Sequence, residues 1–178
     1  MWSIGFAVAD LRRRKVLKRL LVTPMRRSSL LLSLLLARLV WLVAELFVLV
    51  AFGILALGVP FRGNPLSFLA LSFAGATVFA GLGLLATARA RTIEAASGML
   101  NVVMMPMWLA SGVFFSYERF PDAVQPLLRL LPLTALNDAL RALMLDGASL
   151  ASILPELGVQ AAWGVAAFLA ALRIFRWE

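Results

Sequence analysis

The stretch SLLLSLLLARLVWLVAELFVLVAFGILALGV, residues 29–59, decides the medium in which this chain folds. Only Arg38 and Glu45 interrupt it with charge, and roughly 20 apolar helical residues are enough to cross a hydrocarbon core of about 30 Å. A helix of this composition has no polar face to turn toward water. The rest of the sequence reads the same way. Of 178 residues 62% are hydrophobic and 15% are charged, and the mean hydropathy is +0.94. That charge is too sparse to cover a water-facing surface, and it fits an apolar solvent, a bilayer.

Three further stretches are long enough to span: 66–86, 95–116 and 157–175. Gly58, Pro60, Gly63 and Pro65 supply turn chemistry between the first two. The next connection, 89–94, is short and charged. Thr92 is placed there to cap the third span, with Glu94 in its favourable first turn. The expected fold is an all-α polytopic membrane helix bundle, a single transmembrane domain over 1–178 with four complete transmembrane helices.

The net charge of +8 invites a nucleic-acid reading, but the placement of the charge argues for topology. Eight of the seventeen basic residues fall within 12–27. With the N-terminus inside, that cluster shares the cytoplasmic side with Arg89, Arg91, Arg173 and Arg176, twelve in all. Arg62, Arg119, Arg129 and Arg141 take the other side, and Arg38 stays within a span. This bias predicts both termini in the cytoplasm of a multi-pass cell (inner) membrane protein with no nucleic-acid partner. The N-terminus is no signal peptide, because its apolar stretch precedes the basic cluster instead of following it.

Two segments are not simple spans. Residues 10–24 form a basic amphipathic helix, with Leu17, Leu20 and Leu21 on one face and Arg12, Lys15 and Arg19 on another. Thr23-Pro24 ends it, since a proline disfavours helix at the preceding residue. Taken alone, the segment fits a helix resting on anionic headgroups. The second is the extracytoplasmic stretch 117–155, too apolar for an ordinary loop and broken by Pro121, Pro126 and Pro132. A helix is expected from Thr134, capped by that threonine and stopped near Gly147. Leu136, Leu140 and Leu143 take one side of it, and Asn137, Asp138 and Arg141 the other. Helical spacing puts Arg141 within reach of Asn137 and Asp138. Short helices that dip into the outer leaflet, or lie on it, fit this pattern.

Arg38 and Glu45 lie seven residues apart, which puts them about 10 Å apart along one helix face. Charges at this depth face a bundle interior or polar cavity, or snorkel to an interface. They are therefore candidates for a translocation path or a subunit interface. Asn101 and Pro106 join them, breaking the apolar run of the third span; proline there marks a kink. Met99, Met104, Met105 and Met107 around them fit flexible packing.

The chain has no cysteine and no histidine, which excludes disulfides, thiolate or imidazole metal sites and Ser/His relays. No GxxxxGK[ST] phosphate loop occurs, and the scattered acids form no paired carboxylates. No catalytic, metal or cofactor site is therefore expected in this chain.

The order of four segments is informative: LKRLLVTPMRR (17–27) running into a span, then SGVFF (111–115), ERFPDAVQPLL (118–128) and PLTALNDALRALML (132–145). Together they resemble the ABC-2 class of ABC transporter permeases, which includes bacterial drug, lipid and polysaccharide exporters. The resemblance covers essentially the whole chain. It implies that 10–24 is a coupling helix seated on an ATP-binding subunit, with Asp10, Lys15, Leu17, Arg19, Leu20, Leu21, Thr23 and Pro24 at the contact. It also implies a homodimer or heterodimer of permeases, ATP bound on the partner subunit, and a hairpin of outer re-entrant helices carrying Pro121, Pro132, Asn137, Asp138 and Arg141. The chain departs from the family at Lys15-Val16, where relatives commonly carry Gly-Thr, and in having Asp10 as the sole acid of the segment. The family has six spans, two of them before the coupling helix. Residues 1–9 accordingly read as the end of the second, and the expectation is a fragment or a misassigned start, with a reduced subunit as the alternative. A non-transporting scaffold that recruits a cytoplasmic partner through 10–27 is the rival reading.

Overall fold

The computed structural model describes residues 2–13, 27–88, 90, 92–113 and 119–174, and all regular structure among them is helical. The elements in chain order are α1 (Trp2–Arg13), α2 (Arg27–Leu57), α3 (Pro65–Ala86), α4 (Ile93–Ala110), α5 (Gln125–Arg129), α6 (Pro132–Arg141), a π-helical turn (Ala142–Asp146) and α7 (Leu154–Ile174). Four of them are long and apolar enough to cross a bilayer, over Leu35–Leu57, Pro65–Ala86, Ile93–Ala110 and Leu154–Ala171. The fold is thus an all-α polytopic helix bundle. Helix α1 runs without a break through residues 9 and 10, where the sequence reading divides the end of a span from the amphipathic helix. Residues 14–24 of that segment lie outside the described residues.

The chain divides into two compact units, one of residues 1–41, 76–104 and 164–178, the other of 42–75 and 105–163. All four boundaries, at 41/42, 75/76, 104/105 and 163/164, fall inside the long helices. In the first unit, α1 lays Phe6 and Ala9 against Ala90 and Ala96. The same unit brings α3 and α7 close through small residues. A Cβ built on Gly164 would stand 3.2 Å from Val78 Cγ2, and Ala80 and Ala167 are both buried.

The second unit is organised around α6. Its Leu136, Ala139 and Leu140, with Leu143 one turn on, pack against Leu71 of α3 and Ile153 and Leu157 at the start of α7. This is the apolar side that the leucine spacing predicts. The connection between α2 and α3 then lies along the π-helical turn. Arg62 N–H donates to the Met144 carbonyl at 2.9 Å. Gly63 approaches so closely that a Cβ there would lie 1.8 Å from the Leu143 carbonyl oxygen. Gly147 stops the π-helical turn in the left-handed region, at φ 66°, as the sequence predicts for that position. Asn64 Oδ1 accepts the Leu66 N–H at 2.8 Å. It thereby caps α3 ahead of Pro65, whose missing N–H needs no partner. Thr92 Oγ1 does the same for α4, accepting from Ala95 N–H at 3.1 Å.

Helix α2 differs from the others. No residue in its window Leu35–Leu57 is buried within the chain, and Val40, Phe47, Leu49 and Leu55 are among its exposed side chains. One stripe, Leu35, Leu39, Leu42, Leu46 and Val50, is half-buried, and the exposed apolar remainder is stable only where lipid or further helices replace water.

Gly63→Ala must push the loop away from the Leu143 carbonyl, and we expect a loss of about 3 kcal/mol, within the range of single substitutions that force backbone apart. Gly53→Ala, in the interior of α2 with nothing within 4 Å of its Cβ position, should leave stability equal or raise it by up to about 1 kcal/mol. Thermal unfolding of the detergent-solubilised protein checks both, and equal melting of the two variants would contradict the contact.

Candidate functional site

Helix α4 ends at Ala110, and the chain turns through Ser111 and Gly112, the latter at φ 75°. The carbonyls at and beyond a helix C-terminus lack intrahelical donors and carry a partial negative charge. Here α6 supplies the donors. Asn137 Nδ2 donates to the Ser111 carbonyl at 3.4 Å, and Arg141 Nη2 to the Gly112 carbonyl at 2.9 Å. The two residues are four apart, so one helix face presents both. Helical spacing puts Arg141 within reach of Asn137 and Asp138, and the structure also carries its guanidinium to a carbonyl 29 residues back along the chain, where a charge-assisted bond to an orphan carbonyl is available.

A second pair of donors comes from α7. Gln160 Nε2 donates to the Pro132 carbonyl, and Trp163 Nε1 donates to the Leu130 carbonyl at 2.8 Å. Leu130 and Pro132 flank the break between α5 and α6, so one face of α7 holds that break. Helix α6 begins at Pro132, after Leu131, and has no side-chain cap. This corrects the expectation that Thr134 caps it. Proline at the first helical position fixes φ and has no N–H to satisfy, so the helix starts two residues earlier. Thr134 is fully buried. Its hydroxyl, Gln160 Oε1 and Glu156 Oε2 are buried atoms without a hydrogen-bond partner among the described residues. Gln160 and Trp163 are absent from the sequence-derived candidates. The available signal was that Gln160 is the one side-chain amide in the apolar run 157–172.

The polar face of α6 also borders a cavity of about 380 Å³. Asn137 and Arg141 are its polar members, and Phe68, Val113, Leu140 and Met144 are among the apolar ones. The Phe68 ring is itself fixed by an edge-on contact with Phe61, centroids 5.6 Å apart.

The family model described as ABC-2 type transporter matches residues 2–145, well over half of the chain. The chain belongs to the ABC-2 type transporter family. Neither the curated proteins nor the solved structures yield a match. With its four apolar helices, the permease is a multi-pass membrane protein and the membrane component of an ABC transport system. The matched segment runs from α1 to the π-helical turn. It thus includes α6, with Asn137 and Arg141, and stops before Gln160 and Trp163 of α7.

The remaining candidates of this ABC-2 permease fall on several elements. Asn137, Arg141 and Pro132 join the network just described. Asp138 is half-buried in the same helix, whereas Pro121 is exposed in the segment before α5. On α2, Arg38 is partly exposed and Glu45 fully so. Asn101 and Pro106 are exposed on α4, whose neighbouring Met104 and Met107 are buried while Met105 is not. Asp10 is half-buried in the last turn of α1. Lys15, Leu17, Arg19, Leu20, Leu21, Thr23 and Pro24 lie outside the described residues. Among the described residues, no three His, Cys, Asp or Glu side chains group as metal ligands.

Gln160→Leu removes the side-chain bond to the Pro132 carbonyl, the first of α6, and should cost about 0.5–1.5 kcal/mol. Thr134→Val removes a buried hydroxyl that has no partner and should be neutral or stabilising. Chemical unfolding of both variants in detergent reads the difference. A reversed order would contradict the assignment of donors.

Proposed function

We propose that this permease works as the membrane-spanning subunit of an ABC exporter, moving its substrate by alternating access driven by a separate ATPase subunit. The observation that carries the reading is the family match over residues 2–145. The match covers the basic segment 10–24, three of the four apolar spans and the 132–145 helix. ATP is then bound and hydrolysed on the partner, and no chemistry is assigned to this chain. The partner contacts residues 10–24 through the face of Leu17, Leu20 and Leu21, with Asp10, Lys15 and Arg19 around it. The Thr23-Pro24 turn passes its movement into α2. Two permease chains, identical or different, complete the transport unit.

The charge bias supports an orientation with both termini in the cytoplasm of the cell membrane. On that orientation, α5 and α6 form the re-entrant hairpin on the outer side. The donors on α6 and α7 allow non-helical backbone to persist at membrane depth, where it survives only if protein groups satisfy it. Arg38 and Glu45 of α2 then belong to a pathway or a subunit interface, because charge facing lipid is costly.

Leu17→Asp or Leu20→Asp should abolish ATP-dependent transport in a reconstituted system and release the co-purifying ATPase, with membrane insertion unchanged. Transport that survives either substitution would overturn the coupling role. A chain that brings down no ATPase would favour a membrane scaffold.

A further inference from the structure

The cavity beside α6 has a composition that neither packing nor a transport path explains by itself. Its walls are apolar, its polar members are Asn137 and Arg141, and among the described residues no carboxylate lines it. Arg141 is exposed, and its bond to Gly112 engages Nη2 alone, one of five N–H donors on a guanidinium. That bond and the Asn137–Ser111 bond aim both side chains from the same helix face. The result is a fixed cation at the edge of an apolar slot, with donors that no bond among the described residues engages.

The depth of the slot is also defined. Val59 lies two residues beyond the end of α2, Phe68 is in the first turn of α3, and Val113 is three residues beyond the end of α4. All three sit where an apolar span begins or ends, which is the headgroup level of a bilayer. A cation at that level, over an apolar wall, complements a molecule with a phosphate at one end and an acyl chain at the other. We propose that this cavity is a binding site for one anionic phospholipid, whose phosphate is held by Arg141 and Asn137 and whose acyl chain lies along Phe68, Val113 and Leu140. The site requires only that the chain spans a bilayer, and it stands apart from the identity of the transported substrate. A lipid bound there bridges α6 to the ends of α3 and α4, and so stabilises the segment that α6 holds together.

The test uses the full chain in a neutral detergent, with native mass spectrometry reading the bound lipid. Dioleoylphosphatidylglycerol, dioleoylphosphatidylcholine and inorganic phosphate are the three probes. The expected result is one phosphatidylglycerol per chain under conditions that strip phosphatidylcholine, with no displacement by excess phosphate. Arg141→Gln should weaken retention about tenfold, by losing the charge-assisted bond to phosphate. That variant also loses the Gly112 bond, so Val113→Trp is the second variant; it fills the slot, leaves Arg141 in place and should likewise lose the lipid. Equal retention of phosphatidylcholine overturns the proposal, as does unchanged binding in either variant. Displacement by phosphate would reduce the site to a simple anion site and overturn it equally.

Discussion

A backbone carbonyl beyond a helix end has no intrahelical donor and must find one elsewhere in the protein or in water. That requirement governs the second unit of this chain. Three such carbonyls, at Ser111, Gly112 and Leu130, receive side-chain donors from Asn137, Arg141 and Trp163 respectively, and Gln160 adds a fourth bond, to the Pro132 carbonyl in the first turn of α6. Each bond spans 26 to 33 residues of sequence. They join the end of α4 to α6, and the α5–α6 break to α7. Without them the segment would expose unsatisfied backbone, at a cost of several kcal/mol per group. With them, a broken stretch of chain is held between continuous helices.

The apolar contacts follow from the same arrangement. Once the polar face of α6 is committed to the end of α4, its opposite face must meet Leu71, Ile153 and Leu157, and it does so with Leu136, Ala139 and Leu140. The π-helical turn then carries Leu143 and Met144 to the 58–64 loop, where only a residue without a Cβ fits at position 63. The cavity beside Arg141 is a consequence of this packing. The guanidinium is anchored at one nitrogen, and the helix ends around it leave a slot open. The helix that closes the backbone network lies within the segment that the family match covers.

Much of this was legible in the sequence, and the parts that were not have a common cause. The four spans were readable because each requires about 20 apolar residues, a signal that local context cannot disguise. The turn between α2 and α3, the Thr92 cap and the stop at Gly147 were readable because turn and cap chemistry is local. The leucine side of α6 was readable from its spacing. The start of α6 was misplaced at Thr134 because a capping side chain and a first-position proline compete as start signals, and proline prevailed. The partners of Arg141 and the roles of Gln160 and Trp163 were not readable. They answer carbonyls about 30 residues away, and no short period in the sequence encodes that distance. The lone amide in the apolar run 157–172 was the only trace.

The central claim joins these parts in space. The proposed topology puts the basic N-terminal segment on the ATPase side of the membrane and residues 125–141 on the other. A chain without native cysteines allows a direct measurement by single introduced cysteines at two exposed positions: Ser149→Cys, beyond Gly147, and Ala95→Cys, in the first turn of α4. Labelling with a membrane-impermeant maleimide is compared in intact and permeabilised cells. The account predicts that Ser149→Cys reacts in intact cells and Ala95→Cys only after permeabilisation. The reverse pattern, or equal reaction of both in intact cells, would contradict it.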